Sequence, residues 1–246
     1  MATKRIPGPI GVTTSRFVLA ATTTGAGTNG LSDQDSGMSG SAVAVGVGTA
    51  SVVRIPVPGS NGLYIELQPR NFKGPSTSTL FIQDITGKKH LRLDYGPNKV
   101  TGRIDYHWNQ KGTFAEFGIQ GHTPVGRAGE ALYKGAKYFK YGGRVLLVVG
   151  IAMDVYSIVV AKKRWRQVAR VSAGWAAATA GCEVFGAWGA GVGSVEPGGG
   201  TAVGGLLGCA VGGIAGYAGA SWAAGEVYDW VEETFFEPLP AVQGPE

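Results

Sequence analysis

The chain has 246 residues, enough for one large domain or two small ones, with 44 % hydrophobic and only 16 % charged residues. Glycine is the anomaly: there are 42, about one residue in six against a usual ~7 %, with no collagen period. The formal charge of +5 is compatible with anionic lipid or nucleic acid and demonstrates neither. No CxxC or Cys/His spacing suggests zinc, so neither a metal nor a cofactor is expected.

Basic residues cluster between Arg127 and Arg170, whereas acids dominate the end at Glu226, Asp229, Glu232, Glu233 and Glu237. Two readings fit: a basic surface for a partner, or two solvated faces that pair with each other. At the N-terminus, Lys4 and Arg5 precede no apolar run, and residues 17–21 are too short for a signal-peptide core, which predicts no Sec-type export. Residues 1–42 are rich in Gly, Ser and Thr and read as a flexible segment. Within them Gly25, Gly27 and Gly30 fit a lone GxGxxG, but no strand precedes it and no helix follows.

From residue 43 the chemistry becomes that of strands. Val43, Val45 and Val47, then Val52, Val53, Ile55 and Val57, alternate weakly, and residues 63–67 and 79–85 add two more strands. His90 to Tyr95 and Arg103 to Trp108 each alternate with period two around a linker holding Gly96, Pro97 and Gly102, a β-hairpin. The expectation is a small antiparallel β region over 43–120. Residues 125–141 then read as a basic, aromatic helix, with Thr123 as N-cap and Pro124 at the first helical position. It fits a membrane surface or an ordinary amphipathic helix on the sheet.

Three apolar segments follow. The first, Val145 to Ala161, has the lower limit of length for crossing a bilayer and holds Asp154 at its centre, at a cost of about 2.5–3.5 kcal/mol on an insertion scale. A buried helix in a soluble fold fits it equally. The second runs from about Val168 to Val195 and contains Glu183; the third runs from about Thr201 to Val227. Glu196-Pro-Gly-Gly-Gly200 separates them and predicts an antiparallel helical hairpin. Gly204, Gly208, Gly212 and Gly216 recur every four residues on one face of the third segment, and Gly186, Gly189 and Gly193 offer a matching surface on the second. Small residues at that spacing let helix backbones approach closely in membranes. A tightly packed soluble hairpin is the competing reading. In a membrane, Asp154 and Glu183 are expected on a polar path; in a soluble form they would pair with Arg164, Arg166 or Arg170. Counting from the turn, Cys182 and Cys209 lie at nearly equal distances, so they face each other either as a disulfide or as two buried thiols.

For catalysis the candidates are Asp105, His107 and His122. Asp105, His107 and Asn109 share one face of a strand, with Asp94 on the partner arm, a set able to bind a metal or to serve as a general base. No phosphate-cradling loop and no serine nucleophile elbow stand out.

Residues His90 to Gly112 resemble hairpins in the C-terminal toxin regions of bacterial polymorphic toxins. The stretch from Glu196 to Trp230 resembles the glycine-zipper tails of antibacterial effectors, type VI secretion cargo included. That resemblance implies delivery into a rival cell without a signal peptide, damage to its membrane, a cognate immunity protein, and a chaperone or delivery apparatus. Neither Rhs repeats nor a spike domain accompany it. The sequence therefore predicts an α+β protein: a small antiparallel β region, then a helical region over 121–236 with a glycine-rich hairpin, and a tail over 237–246. The leading expectation is a membrane-inserting toxin, cytoplasmic in its producer, whose partner is lipid rather than nucleic acid and which forms a homo-oligomer on insertion. The alternatives are an enzymatic, nuclease-like toxin and a component of a secretion apparatus.

Overall fold

The computed structural model describes residues 34–69 and 71–236, with side chains from residue 40 onward. Most of the flexible segment predicted for 1–42, its GxGxxG and the tail over 237–246 lie outside the described residues. The fold is α+β: a sheet in the N-terminal half, then long helices. In chain order the elements are α1 (Gln34–Ala50), β1 (Ile55–Pro56), β2 (Tyr64–Leu67), β3 (Leu80–Gln83), β4 (His90–Pro97), β5 (Ile104–Lys111), α2 (Phe114–Phe117), β6 (Thr123–Pro124), α3 (Gly126–Val160), α4 (Arg164–Gly193) and α5 (Gly199–Phe235).

The six strands form one antiparallel meander in sequence order. Its register aligns Ile55, Ile65, Ile82 and Leu91 in a row across four strands. All four are fully buried. Leu93 opposite Trp108 continues this face on the β4–β5 hairpin. The row docks on the turn end of the α4–α5 hairpin, where only glycine leaves room. A Cβ at Gly205 would stand 2.3 Å from Ile65 Cδ1, and one at Gly186 would stand 2.7 Å from Ile55 Cγ2. The two edge strands, β1 and β6, are two residues long, which blunts edge-to-edge pairing.

Between α4 and α5 the backbones touch through glycine. A Cβ on Gly204, Gly208, Gly212 or Gly216 would lie 2.2–2.3 Å from the carbonyl oxygen of Gly189, Phe185, Gly181 or Ala177 respectively. Gly193 meets Gly200 in the same way nearer the turn. Cys182 and Cys209 form a disulfide across this interface, with Cα atoms 3.7 Å apart.

Three expectations are corrected. Residues 43–50, predicted as strand, belong to α1, and 34–42 belong to it too rather than to a flexible segment. Of the predicted 43–57 strand only Ile55 and Pro56 are extended. The valine alternation is overridden by tertiary packing: Gly48 of α1 lies against the Leu147 backbone of α3, and Gly46 against Ile214 and the Ala210 carbonyl of α5. Thr123 and Pro124 form β6, pairing with Trp108 and His107, so the helix starts at Gly126. Finally, the basic helix and the first apolar segment are one helix of 35 residues. Gly142 and Gly143 do not break it, because Gly143 closes on Ser51 and the Val47 carbonyl of α1.

Candidate functional site

Three hydrogen-bonded contacts fix the relative height of the long helices. Asp154 of α3 accepts from Trp175 Nε1 of α4 at 2.7 Å and from the Tyr217 hydroxyl of α5 at 2.6 Å. Nearer one end, Arg166 of α4 holds Asp229 of α5 through both Nε and Nη2, the latter at 2.6 Å. Taking the Asp154 level as the midplane, the helical rise places every other charge. Along α3 the bracketing charges are Arg144 and, two residues past its end, Lys162, eighteen positions apart, or about 27 Å at helical rise. On α4 they are Arg166 and Glu183, seventeen positions apart, or about 26 Å. From Gly199 to Gly225, α5 carries no charge at all. Among the described side chains of α3, α4 and α5, the charged ones inside this slab are Asp154 and Arg170, and Arg170 Nε donates to the Ser221 carbonyl at 3.3 Å. The slab thickness approaches the ~30 Å hydrocarbon core of a bilayer.

The outer surface of the slab is apolar. On α3, Val145, Val148, Ile151, Val155 and Val159 form an exposed stripe at helical spacing, as do Val203, Leu207 and Val211 on α5. Among the described residues two helices, α3 and α5, are long and apolar enough to cross a membrane, and only 17 % of the apolar stretch of α3 is buried against 44 % for α5. A core helix of a soluble protein would be mostly covered. Among the three apolar segments, α4 is the one that fails this test: arginines at its start and Glu183 dilute it.

Most exposed aromatic side chains of the helices lie toward the two ends of the slab, with Tyr156, 68 % exposed, near the Asp154 level as the exception. Trp165, Trp222 and Trp230 lie toward one end, about 8–20 Å from the Asp154 level. Tyr138, Tyr141, Phe185 and Trp188 lie toward the sheet, about 15–24 Å from that level. Amphipathic rings at the two edges of an apolar band are the arrangement found at membrane–water interfaces. Beyond the second group sits the sheet.

The expected polar path from Asp154 to Glu183 is not formed. Asp154 is buried and faces Trp175 and Tyr217, while Glu183 is exposed, eight residues and about 12 Å beyond Trp175 on α4. Nor do the acids pair with Arg164, Arg166 or Arg170 among the described residues; Arg166 takes Asp229. Trp175 and Tyr217, the partners of Asp154, escaped the sequence reading because nothing in the spacing sets the height of α3 against the hairpin.

In the sheet, Asp105, His107 and His122 do come together. His107 Nδ1 lies 3.1 Å from Asp105 Oδ1, and the rings of His107 and His122 stand 5.0 Å apart. Asn98 Nδ2 donates to both Asp105 oxygens, at 3.0 and 3.2 Å, and to the His122 carbonyl at 2.9 Å. Thr101 adds a 2.9 Å bond to Asp105. Burial pushes the Asp105 carboxyl up, but the donors Asn98, Thr101 and His107 outweigh it and hold it below the usual carboxylate value. Burial, then the charges of His107 and Lys99, lowers the His122 imidazole. His122 adopts φ 65°, and its Nδ1 is buried without a hydrogen-bond partner. Asp94, opposite His107, takes Arg92 at 2.8 Å and Asn109 at 3.2 Å, so it is committed to the sheet network. Among the described residues no group of three or more His, Cys, Asp or Glu is arranged to hold a metal ion. His107 is 2 % exposed, which seals the better-placed base from a substrate.

Compared with protein-family models, with curated proteins and with solved structures, the chain matches none.

Proposed function

We propose that the protein is a membrane-inserting effector whose helical half enters a lipid bilayer and permeabilises it, the sheet remaining in water at one face. The observation that carries this reading is the charge-poor slab, about 26 Å thick on two helices, holding only Asp154 and Arg170 among the described side chains of α3, α4 and α5 and covered by exposed valine and leucine. Two edges rich in exposed aromatic rings support it. Several hundred Å² of contiguous apolar surface would be a liability in water. Delivery into a target cell by a secretion apparatus, a cognate immunity protein that blocks the helices, and assembly into a homo-oligomer on insertion belong to the same proposal. They rest on the resemblance of the glycine-rich tail.

The test is dye release from vesicles of bacterial-type lipid. Wild type is expected to release dye. Gly208→Leu is expected to lose that release, because its side chain must push the Phe185 carbonyl away and separate α4 from α5. Equal release by both, or none by wild type, contradicts the reading.

A second reading is an enzymatic toxin using Asp105, His107 and His122, with the helices serving translocation. The unpartnered Nδ1 of His122 beside an aligned Asp105–His107 pair favours it. Toxicity that survives Asp105→Ala and His107→Ala disfavours it.

A further inference from the structure

On the sheet side of the slab, α3 carries cations that no acid answers. Lys137, Lys140 and Arg144 recur at i, i+3 and i+7, so they share one face of the helix. Lys134, a turn earlier, takes Glu130, but none of these three makes an ion pair among the described residues. Lys140 is 3 % exposed and has no hydrogen bond there either; its ammonium lies 4.7 Å from the centroid of the Tyr141 ring. A buried charge without a counter-ion is costly, and like charges one turn apart repel. Glu183, the acid at this level on α4, is exposed and pairs with none of them. The opposite end of the slab is built differently, because there Lys163 takes Glu232 and Arg166 takes Asp229.

Beside Arg144 a pocket of about 330 Å³ opens between the end of α1, the end of β2 and α3. Gly143 makes the place for it, since Ser51 closes on that glycine and brings the end of α1 against α3. Among the described residues its charged lining is Arg54, Glu66 and Arg144. Glu66 is engaged within the protein: Oε1 accepts from Arg54 Nε, and Oε2 accepts from Gln83 Nε2 at 2.8 Å. Arg54 donates through Nε alone among the described residues, so both of its Nη groups keep their donors. The pocket therefore offers two guanidinium groups and an excess of positive charge.

Its depth matches a headgroup. Arg144 stands ten residues from Asp154, about 15 Å, which is half of the ~30 Å hydrocarbon thickness. From Arg144 the same face of α3 runs on through Val148, Ile151 and Val155, all exposed. Val52, 51 % exposed, flanks the opening.

We propose that this pocket binds an anionic phospholipid of the phosphatidylglycerol class in the sheet-side leaflet, its phosphate held by Arg144 and Arg54 beside Lys140 and an acyl chain laid along Val148, Ile151 and Val155. The planar guanidinium fork matches phosphate oxygens, and the phosphodiester supplies the counter-charge that α3 lacks. Basic pockets between membrane helices hold anionic headgroups in the same way. The proposal rests on the membrane reading above and adds to it a lipid class and a leaflet.

The test has two stages. Full-length protein is first floated with phosphatidylethanolamine–phosphatidylglycerol vesicles. Dioctanoyl-phosphatidylglycerol is then titrated calorimetrically into the full-length protein in dodecyl maltoside micelles. A single saturable site per chain is expected. Arg144→Gln should weaken it at least about tenfold, through loss of charge-assisted hydrogen bonds. Arg144→Lys, which keeps the charge and loses the fork, should fall between that variant and wild type. Arg164→Gln removes an equal charge at the far end and should change the affinity less than about twofold. Lys137→Gln, on the exposed rim, should weaken binding about threefold and keeps the test readable if the Arg144 variants do not fold. Zwitterionic dioctanoyl-phosphatidylcholine should bind at least about tenfold more weakly. Inorganic phosphate at the lipid's own concentration should not displace it.

Failure of the protein to float removes the membrane reading and this proposal with it. Flotation without a saturable site overturns the lipid site alone, as does equal weakening by Arg144→Gln and Arg164→Gln, or equal binding of phosphatidylcholine. Displacement by inorganic phosphate assigns the pocket to a free phosphate and overturns the lipid as its occupant.

Discussion

The sheet and the helical bundle treat the same kinds of residue in opposite ways. On the helix-facing side of the sheet, apolar side chains are hidden, and on the other side several polar ones are tied to neighbours. Ile55, Ile65, Ile82 and Leu91 have no measurable exposure, while Glu66 takes both Arg54 and Gln83, and Asp94 takes Arg92 and Asn109. Across the bundle, valine, leucine and tryptophan face outward, and glycine faces inward against backbone. An inside-out pattern of this kind is stable where the surroundings are themselves apolar, because packing of small residues and interhelical hydrogen bonds then replace the hydrophobic effect. One chain thus carries two surfaces suited to two solvents, joined where Gly186 and Gly205 receive the isoleucine row.

The largest expected effect comes from breaking that rule on one side and not the other. Ile65→Ala removes a fully buried side chain between the sheet and Gly205, and should cost about 2–5 kcal/mol in unfolding of the sheet. Val148→Ala truncates a side chain that touches no core and should change the stability of the detergent-solubilised protein by less than about 0.5 kcal/mol. Denaturant titration of both in one detergent makes the comparison; equal losses would mean that the α3 stripe is covered by protein.

A smaller effect sharpens the view of the sheet. His90 and His122 both have imidazoles lowered from 6.5 by burial, so the unfolded chain binds more protons below that value. Stability of the sheet half should be full above pH 6.5 and should fall as pH drops below it. Asp105, lowered from 3.8, adds a separate loss only as pH falls below that value. His122→Asn should flatten the first slope while keeping the fold, since asparagine tolerates positive φ. Melting curves from pH 7 to 5 read it, and an unchanged slope would assign the acid sensitivity to His90.

Much of this architecture is legible in the sequence, and the misses have physical causes. The strands at 63–67 and 79–85 and the His90–Trp108 hairpin follow from period two, and the α4–α5 hairpin follows from glycines every four residues around Glu196–Gly200. In α1, Val43, Val45 and Val47 mimic a strand because two-residue alternation cannot reveal that α3 and α5 await them. That the basic helix and the first apolar segment run on through Gly143 depends on Ser51 and the Val47 carbonyl, which close on it and are remote in sequence. For the histidine cluster, Asp105 and His107 could be paired from strand spacing, whereas Asn98 and Thr101 enter only through the shape of the turn. Asp154 stands out as an acid in an apolar run, yet its partners depend on the helical register of three elements.

The most direct test of the central claim is a nitroxide scan of the α3 stripe. Spin labels at Val145, Val148, Ile151, Val155 and Val159 of vesicle-reconstituted protein are read for collision with oxygen and with a water-soluble nickel chelate, with Val100 in the β4–β5 turn as reference. Insertion requires oxygen accessibility to peak at Ile151 and Val155 and to decline toward Val145 and Val159, while Val100 stays open to the chelate. Chelate accessibility that is uniform along the stripe and equal to that of Val100 would place α3 in water and contradict the account.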